Sequence, residues 1–454
     1  MNQSFETASP LAAIILAAGK GTRMKSKRHK VLHPIGGQPM LDHLFQTLSA
    51  LKVQSTTLVV GALKEQLEPY KAHAELVEQS PQLGTGHAVQ QAWESLKEFN
   101  GIVLVLYGDV PLIRAETLFA LVSSLENAGD DCALSVLGFR AKDPARYGRM
   151  IVEDDALLAI REWKDATSSE RAIDLCNSGI MAVRAPLLFE LLSQVKNENA
   201  AQEYYLTDIV GLADQKGLKA VYTEADEEEV AGVNSRVDLA QLERMFQTRR
   251  RQQAMEAGVT LIDPETVHFS HDTALSNDVI VEPNVVFGPK VRVEDGVVIK
   301  AFSHLEGCIV KSGASVGPFA RLRPGANVGE GAKVGNFVEL KNAELNAGAK
   351  VSHLTYLGDA VVGENANIGA GTISCNYDGY FKYQTEIGAG AFIGSNSALV
   401  APVKIGDGAI VGAGSVVTRD VEKDDLVVAR GKQRSITGWA KAFRDRMLEK
   451  KKGL

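Results

Sequence analysis

The chain has 454 residues, too many for one ordinary hydrophobic core, so two or more domains are expected. Its 45% hydrophobic and 23% charged content is that of a soluble globular protein, and a net charge of −7 excludes any global attraction to nucleic acid or to an anionic membrane. The four cysteines, Cys132, Cys176, Cys308 and Cys375, form no CxxC pair, which argues against a disulfide framework or a structural zinc site and fits a reducing cytoplasm.

The apolar run 11–18 follows a segment without Lys or Arg and precedes Gly19-Lys20-Gly21-Thr22-Arg23, so it reads as a buried first strand and not as a signal peptide. No run approaches the ~18 apolar residues of a membrane-spanning helix. Short apolar runs at 13–16, 57–60 and 102–106 alternate with amphipathic stretches at 41–51 and 86–96. This alternation predicts a mostly parallel sheet with helices on both faces over residues 11 to about 230. After the first strand, Gly19 and Gly21 let backbone N–H groups approach a phosphate, and Lys20 and Arg23 add charge. The turn is neither a Walker A loop nor GxGxxG, so by itself it fits a plain strand-to-helix turn equally well. The run Lys27-Arg28-His29-Lys30 alone reads as a solvated basic loop. Tyr107-Gly108-Asp109 closes the strongest strand. A carboxylate at the carboxyl end of a central strand sits where such sheets bind ligands, and one carboxylate with substrate phosphates is a usual way to hold Mg²⁺. A helix N-cap is its alternative role. The charged stretch 233–258, closed by Gly258, predicts a linker helix between a domain over 1–232 and one over 259–454.

In the second half, aliphatic residues recur every six positions: Val281, Phe287, Val293, Ile299 and Leu305, then Val310, Val316, Leu322, Val328, Val334 and Leu340. After a one-residue slip come Leu345, Val351 and Leu357, then Val362 and Ile368, and finally Ile387, Ile393, Leu399, Ile405, Val411 and Val417. Such a repeat predicts a solenoid in which three hexapeptides close one triangular coil. At ~4.8 Å per coil the prism would be roughly 35–40 Å long. Residues 373–386 break the repeat and predict a loop thrown out from the prism. Arg323 and Lys341 are 18 residues apart, which places them on one face of adjacent coils as an anchor for a sugar phosphate. His353 is the only histidine after Val310; His268, His271 and His304 lie far upstream, which argues against a three-histidine zinc site. Cys375, beside Asn376, reads as an inert small residue at least as well as a redox handle, and the tail from Lys441 as a solvated helix end.

In order along the first half stand LAAGKGTRM (16–24), QLGTGHA (82–88), YGD (107–109), YGR (147–149), EWKDA (162–166), NSG (177–179) and GVN (232–234). This series resembles the sugar-1-phosphate nucleotidyltransferases. With the hexapeptide half attached, the whole chain resembles the bacterial bifunctional N-acetylglucosamine-1-phosphate uridylyltransferase/glucosamine-1-phosphate N-acetyltransferase family. The resemblance implies an α/β chain: a Rossmann-like nucleotidyltransferase domain, a long linker helix and a left-handed parallel β-helix. Asp109 and Asn234 would ligate Mg²⁺. Leu16, Ala17, Ala18, Gly19, Arg23 and Lys30 would handle the triphosphate of UTP, with Tyr107 and Gly108 alongside. Gln79, Gly84 and Thr85 would read uracil, and Gly148, Glu162 and Asn177 would hold N-acetylglucosamine 1-phosphate. In the second half His353 would be the general base that activates glucosamine 1-phosphate. Arg323 and Lys341 would bind its phosphate, and Tyr356, Asn367, Asn376 and Tyr377 would orient the sugar. Ala370, Ser395, Ala413 and Arg430 would line the groove for acetyl-coenzyme A, formed between prisms of a homotrimer. The implied role is synthesis of UDP-N-acetylglucosamine in the cytoplasm, for cell-wall peptidoglycan and lipopolysaccharide, with no nucleic-acid partner and no membrane insertion. The family usually has Leu-Pro before the lysine, where this chain has Arg28-His29; the missing proline predicts a looser loop at Lys30. Two rivals are a single-activity nucleotidyltransferase whose β-helix only assembles it, and a non-catalytic scaffold with a nucleotide-sensing domain. The joint presence of Arg323, Lys341, His353, Asn376 and Arg430 argues against the first, and Asp109, Asn234 and the uracil motif against the second.

Overall fold

The computed structural model describes residues 5–154 and 156–452; residue 155 and the ends of both expected domains, 1–4 and 453–454, lie outside the described residues. The chain separates into two compact units, 1–250 and 251–454.

The first unit is built on a sheet whose central strand, Leu11–Ala17, is flanked by Ile102–Tyr107 and Ser55–Val60, both parallel to it. These strands read as continuous aliphatic runs because both faces are covered: Ala12, Ile14 and Val103 join one core, Ala13, Ile15 and Leu104 the other. The expectation of a mostly parallel sheet holds, with one exception. Leu175–Arg184 runs antiparallel between Ile102–Tyr107 and Cys132–Arg140, so the sheet is mixed. No crossover helix delivers this strand; the antiparallel pair Arg149–Glu153 and Ala156–Arg161 does, and a hairpin leaves the next strand free to run backwards. The helix expected over 86–96 forms as two short pieces, Thr85–Gln90 and Trp93–Leu96. The charged stretch forms the helix Arg236–Glu256, and Gly258 follows it at φ 91°.

The second unit is a parallel β-helix. The periodic residues are its inner file: Val281, Ile299, Val316, Val334, Val351, Ile393 and Val411 are all fully buried. Removing each such side chain from water contributes ~1.5–3 kcal/mol. Most coils close after 17 or 18 residues: Arg321 pairs with Glu339 and Leu322 with Leu340, whereas Val328 pairs with Leu345 and Val334 with Val351; the interrupted coil takes 25, Val361 pairing with Glu386, and the last takes 16, Val411 pairing with Val427. The interruption is shorter than the sequence suggests. Ile373–Cys375 and Thr385–Ile387 both remain in the ladders, and only residues 376–384 leave the prism, drawn together by a bridge between Tyr377 and Lys382. One corner carries Phe302, Phe319 and Phe337 at φ 56–59°, their rings stacked at centroid spacings of 4.9 and 5.2 Å. The tail forms the exposed helix Trp439–Lys452.

Coil spacing leaves no room for some side chains. A Cβ on Gly335 would lie 1.9 Å from the Ser352 carbonyl oxygen of the next coil. Gly335→Ala should therefore destabilise the β-helix by about 1–3 kcal/mol, as overpacking does, visible as a lowered thermal midpoint.

Candidate active sites

In the first unit a cavity of about 350 Å³ opens at the carboxyl ends of the central strands. Leu16, Ala17, Ala18, Gly19, Lys30, Gln79, Gly84, Thr85, Tyr107 and Asp109 all line it. Its walls are fixed by backbone: the Gly108 N–H donates to the Leu16 carbonyl (3.0 Å), and the Gln79 side-chain amide donates to the Gly84 carbonyl (2.9 Å). Gln82, which sequence reasoning passed over, donates to the Ala18 carbonyl and so holds the glycine-rich turn open.

The Lys30 ammonium is paired with the Asp109 carboxylate, both largely shielded from solvent. A second cation meets a second oxygen: Arg23 Nη2 donates to Asn234 Oδ1 (2.8 Å). Asn234 reaches this place because the Val233 N–H donates to the Asp109 carbonyl (2.9 Å) and Asp238 accepts from the Asn234 N–H (2.8 Å). Asp109 and Asn234 are thus neighbours although 125 positions separate them in the chain.

The loop before Lys30 is not loose, contrary to the expectation from the missing proline. His29 is buried at 2% exposure, with φ −55°, an angle proline itself would adopt. Its N–H donates to Gln66 Oε1 (2.8 Å), and its ring accepts from the Val31 N–H (3.4 Å). Burial and the adjacent Lys30 charge lower the imidazole pKa, which keeps the ring neutral.

Gly148, Glu162 and Asn177 form a separate cluster. The Asn177 N–H donates to the Gly148 carbonyl (2.9 Å), and a Cβ on Gly148 would stand 3.5 Å from Glu162 Oε1. Arg149 acts as scaffold: its fully buried guanidinium donates to the carbonyls of Pro144, Ala145, Tyr147 and Arg171. Tyr107 links the cluster to the cavity, because Gly179 at φ 88° passes where a Cβ would strike the Tyr107 ring at 2.6 Å. Burial raises the Glu162 pKa, against the opposing hydrogen bond from Thr207 (3.2 Å), and Asp208 adds repulsion.

On the β-helix, Arg323 and Lys341 are lateral neighbours, as their spacing predicts: the Arg323 N–H donates to the Leu340 carbonyl (2.9 Å). Lys341 in turn pairs with Gly358, where the lack of a Cβ lets the Tyr356 hydroxyl and the Asn376 amide converge. Three further members lay outside the sequence reading. Glu339 accepts from Arg323 (2.8 Å), Asp359 accepts from Asn376 Nδ2 (2.5 Å), and Lys382 of the ejected loop faces Lys341, lowering its pKa by hydrogen bond and charge repulsion. Tyr377 is exposed and its hydroxyl donates to its own loop at Gly379 (2.5 Å). Asn367 is not brought to this cluster; it pairs with Lys350 and Phe392 on another ladder.

His353 stands exposed at the corner where one ladder ends. Its Nδ1 lies 2.7 Å from Asn336 Oδ1, one coil below. A carbonyl oxygen can only accept, so Nδ1 carries a proton, and in the neutral ring Nε2 presents the lone pair. The same corner continues upward. The Gly371 N–H donates to the His353 carbonyl (3.3 Å), that of Asn396 to Ala370 (2.7 Å) and that of Gly414 to Ser395 (2.8 Å), while Arg430 donates to the Ala413 carbonyl. His353, Ala370, Ser395, Ala413 and Arg430 are therefore successive points of one corner file, a relation the hexapeptide count left unstated.

A cation-lined cavity at the strand ends of a mixed α/β sheet, followed by a hexapeptide β-helix with its own imidazole and cation pair, defines a nucleotidyltransferase joined to a hexapeptide-repeat transferase. Residues 13–176 match the family model of the MobA-like NTP transferase domain, and residues 384–419 that of the bacterial transferase hexapeptide. A bifunctional protein GlmU from Sphingopyxis alaskensis is 57% identical over 98% of this chain and 98% of its own length. Those of Zymomonas mobilis subsp. mobilis and Azorhizobium caulinodans are 52% and 55% identical, over 97% and 96% of this chain and 99% and 97% of their own. The chain belongs to the bifunctional GlmU family. With that membership come two activities on one chain, uridylyl transfer and acetyl transfer to glucosamine 1-phosphate.

Because burial disfavours the ionised form of Glu162, its carboxyl takes up a proton above the usual carboxylate range as the pH falls. Uridylyl transfer should lose activity over that window, and Glu162→Gln should abolish the acid limb. Superimposable pH profiles for the two proteins would show that this carboxyl does not govern the reaction.

Proposed function

We propose that the two centres carry successive steps to UDP-N-acetylglucosamine: the β-helix acetylates glucosamine 1-phosphate, and the first unit joins the product to UMP. The observation that carries this reading is the pairing, on one chain, of the Lys30–Asp109 cavity with the His353 corner file beside the Arg323–Lys341 pair.

In uridylyl transfer, a phosphate oxygen of N-acetylglucosamine 1-phosphate attacks the α-phosphorus of UTP. A new P–O bond forms, the α–β bridging P–O bond breaks, and pyrophosphate leaves. Leu16 to Gly19, Arg23 and Lys30 bind and neutralise the triphosphate, with Tyr107 and Gly108 shaping the floor. Gln79, Gly84 and Thr85 read the base, and Gly148, Glu162 and Asn177 hold the sugar. No covalent intermediate on the protein is required; alignment and charge compensation lower the barrier. Asp109 and Asn234 would hold Mg²⁺. A carboxylate and an amide oxygen are the hard donors this ion takes, and each already faces a positive group, Lys30 or Arg23, which marks the spot as one that demands positive charge. Bound there, Mg²⁺ supplies Lewis-acid neutralisation of phosphate charge.

In acetyl transfer, His353 Nε2 takes a proton from the amino group of glucosamine 1-phosphate. The nitrogen attacks the thioester carbonyl of acetyl-coenzyme A, a C–N bond forms, the C–S bond breaks and coenzyme A leaves. Arg323 and Lys341 bind the phosphate, while Tyr356, Asn376 and Tyr377 orient the sugar. Ala370, Ser395, Ala413 and Arg430 line the cosubstrate groove. Asn367, which stands apart from the phosphate cluster within one prism, joins the site across a homotrimer, an arrangement that also suits a prism with exposed faces. UTP and acetyl-coenzyme A as co-substrates fit work in the cytoplasm; among the described residues no helix is long and apolar enough to cross a membrane.

Asp109→Ala should lower UDP-sugar formation by at least roughly a hundredfold and leave acetyl transfer intact. His353→Ala should do the reverse. An assay with UTP, Mg²⁺, acetyl-coenzyme A and glucosamine 1-phosphate, following pyrophosphate and free thiol separately, reads both; full thiol release by His353→Ala would remove the base. Asn336→Ala, which frees the ring to take the wrong tautomer, should slow thiol release roughly tenfold or more without weakening Mg²⁺-dependent pyrophosphate release.

A further inference from the structure

We propose that Gln66 is a positioning residue for Lys30 in uridylyl transfer: a single side-chain amide that fixes the basic loop from both sides. The inference rests on the reading that Lys30 handles the triphosphate.

Gln66 lies in the short helix Lys64–Ala72, on a separate stretch of chain from the loop it touches. Its amide is used at both ends. Nε2 donates to the Lys27 carbonyl (2.8 Å) and Oε1 accepts from the His29 N–H (2.8 Å). The two contacts straddle Arg28, so the peptides on either side of it are held at once. An amide donating and accepting in this way constrains direction as well as distance, as an ammonium or carboxylate in its place could not. The fixed segment ends at His29, the N-cap of the turn Lys30–Leu32, so the clamp passes directly to the backbone of Lys30.

Two further observations show that the loop transmits this constraint to the lysine. His29 is buried in the cavity wall and cannot swing to relieve a shift. The Lys30 stem packs on Gly21, where a Cβ would meet Lys30 Cβ at 3.0 Å, so the lysine is wedged against the glycine-rich turn. Its ammonium then arrives at Asp109. Without proline at position 29, a backbone N–H is exposed at a buried bend, and Gln66 is the group that accepts it. The φ of −55° is retained by a hydrogen bond where a pyrrolidine ring would have enforced it.

The test uses the full chain, with acetyl transfer in the same protein as the measure of correct folding. Gln66→Ala should raise the KM for UTP about tenfold, with a smaller change in kcat, because two hydrogen bonds of ordinary strength are lost. Lys30→Ala should raise it at least as much, and Gln66→Ala should add nothing in the Lys30→Ala background, since Gln66 acts through that side chain. In the Gln66→Ala background, His29→Pro deletes the stranded N–H and resets φ, and should recover most of the affinity for UTP. Effects of Gln66→Ala and Lys30→Ala that multiply in the double variant would overturn the proposal, as would no recovery by His29→Pro with acetyl transfer intact. A Lys30→Ala protein with unchanged KM for UTP would instead overturn the triphosphate role of Lys30, and the two failures are thereby told apart.

Discussion

One constraint governs the acetyl-transfer half: strand N–H groups must find the carbonyls of the adjoining coil, so most coils close after 17 or 18 residues, and where a loop is ejected the extra residues leave the prism so that Val361 still pairs with Glu386. Backbone groups shielded from water cannot be left unpaired without a large cost, and this fixes the register more firmly than any side-chain contact. Where the step from one inner residue to the next shortens from six to five, as from Leu340 to Leu345, the shortening is absorbed at a corner and the ladders continue. Functional positions inherit this order. Arg323 beside Lys341, and Asn336 beside His353, are consequences of register.

The nucleotidyl half is held by a different device. Its cavity lies where two parallel strands stop, and distant segments are tied to those ends by backbone bonds: Gly108 to Leu16, and Val233 to Asp109. Cations are then set against oxygens, Lys30 against the Asp109 carboxylate and Arg23 against the Asn234 amide oxygen. On the proposed triphosphate role of these residues, side chains already fixed by such contacts would lose little conformational entropy on binding.

Much of this was legible in the sequence, for reasons that differ between the halves. A six-residue aliphatic period has few structural solutions, so the β-helix and the Arg323–Lys341 juxtaposition could be read by counting. The first strand, the glycine-rich turn and Asp109 could be read because a buried strand with a charged end has a definite place in α/β sheets. The reversed strand Leu175–Arg184 could not, since both faces of it are apolar whichever way it runs. Nor could the roles of Gln66, Gln82, Asn336 and Lys382: amides and a lysine are common on surfaces, and only tertiary neighbours give these four their partners. The expectation of a loose loop at Lys30 failed because it considered the missing ring and not the acceptor that Gln66 supplies. The length of the ejected segment was overstated because its flanks, Ile373–Cys375 and Thr385–Ile387, keep strand pairing after the aliphatic period has lapsed.

The corner file from His353 to Arg430 has a consequence for molecular size. The chain visits that edge once per coil, at intervals of ~4.8 Å. Four stations, Ala370, Ser395, Ala413 and Arg430, therefore graduate the edge like a ruler, with the imidazole at its zero mark. A thin, extended cosubstrate can lie against all the graduations while its reactive end rests at the origin; a compact one of equal mass can touch only one or two. Adding or deleting a single coil would change the reach by one graduation and leave the proposed base at the zero mark untouched.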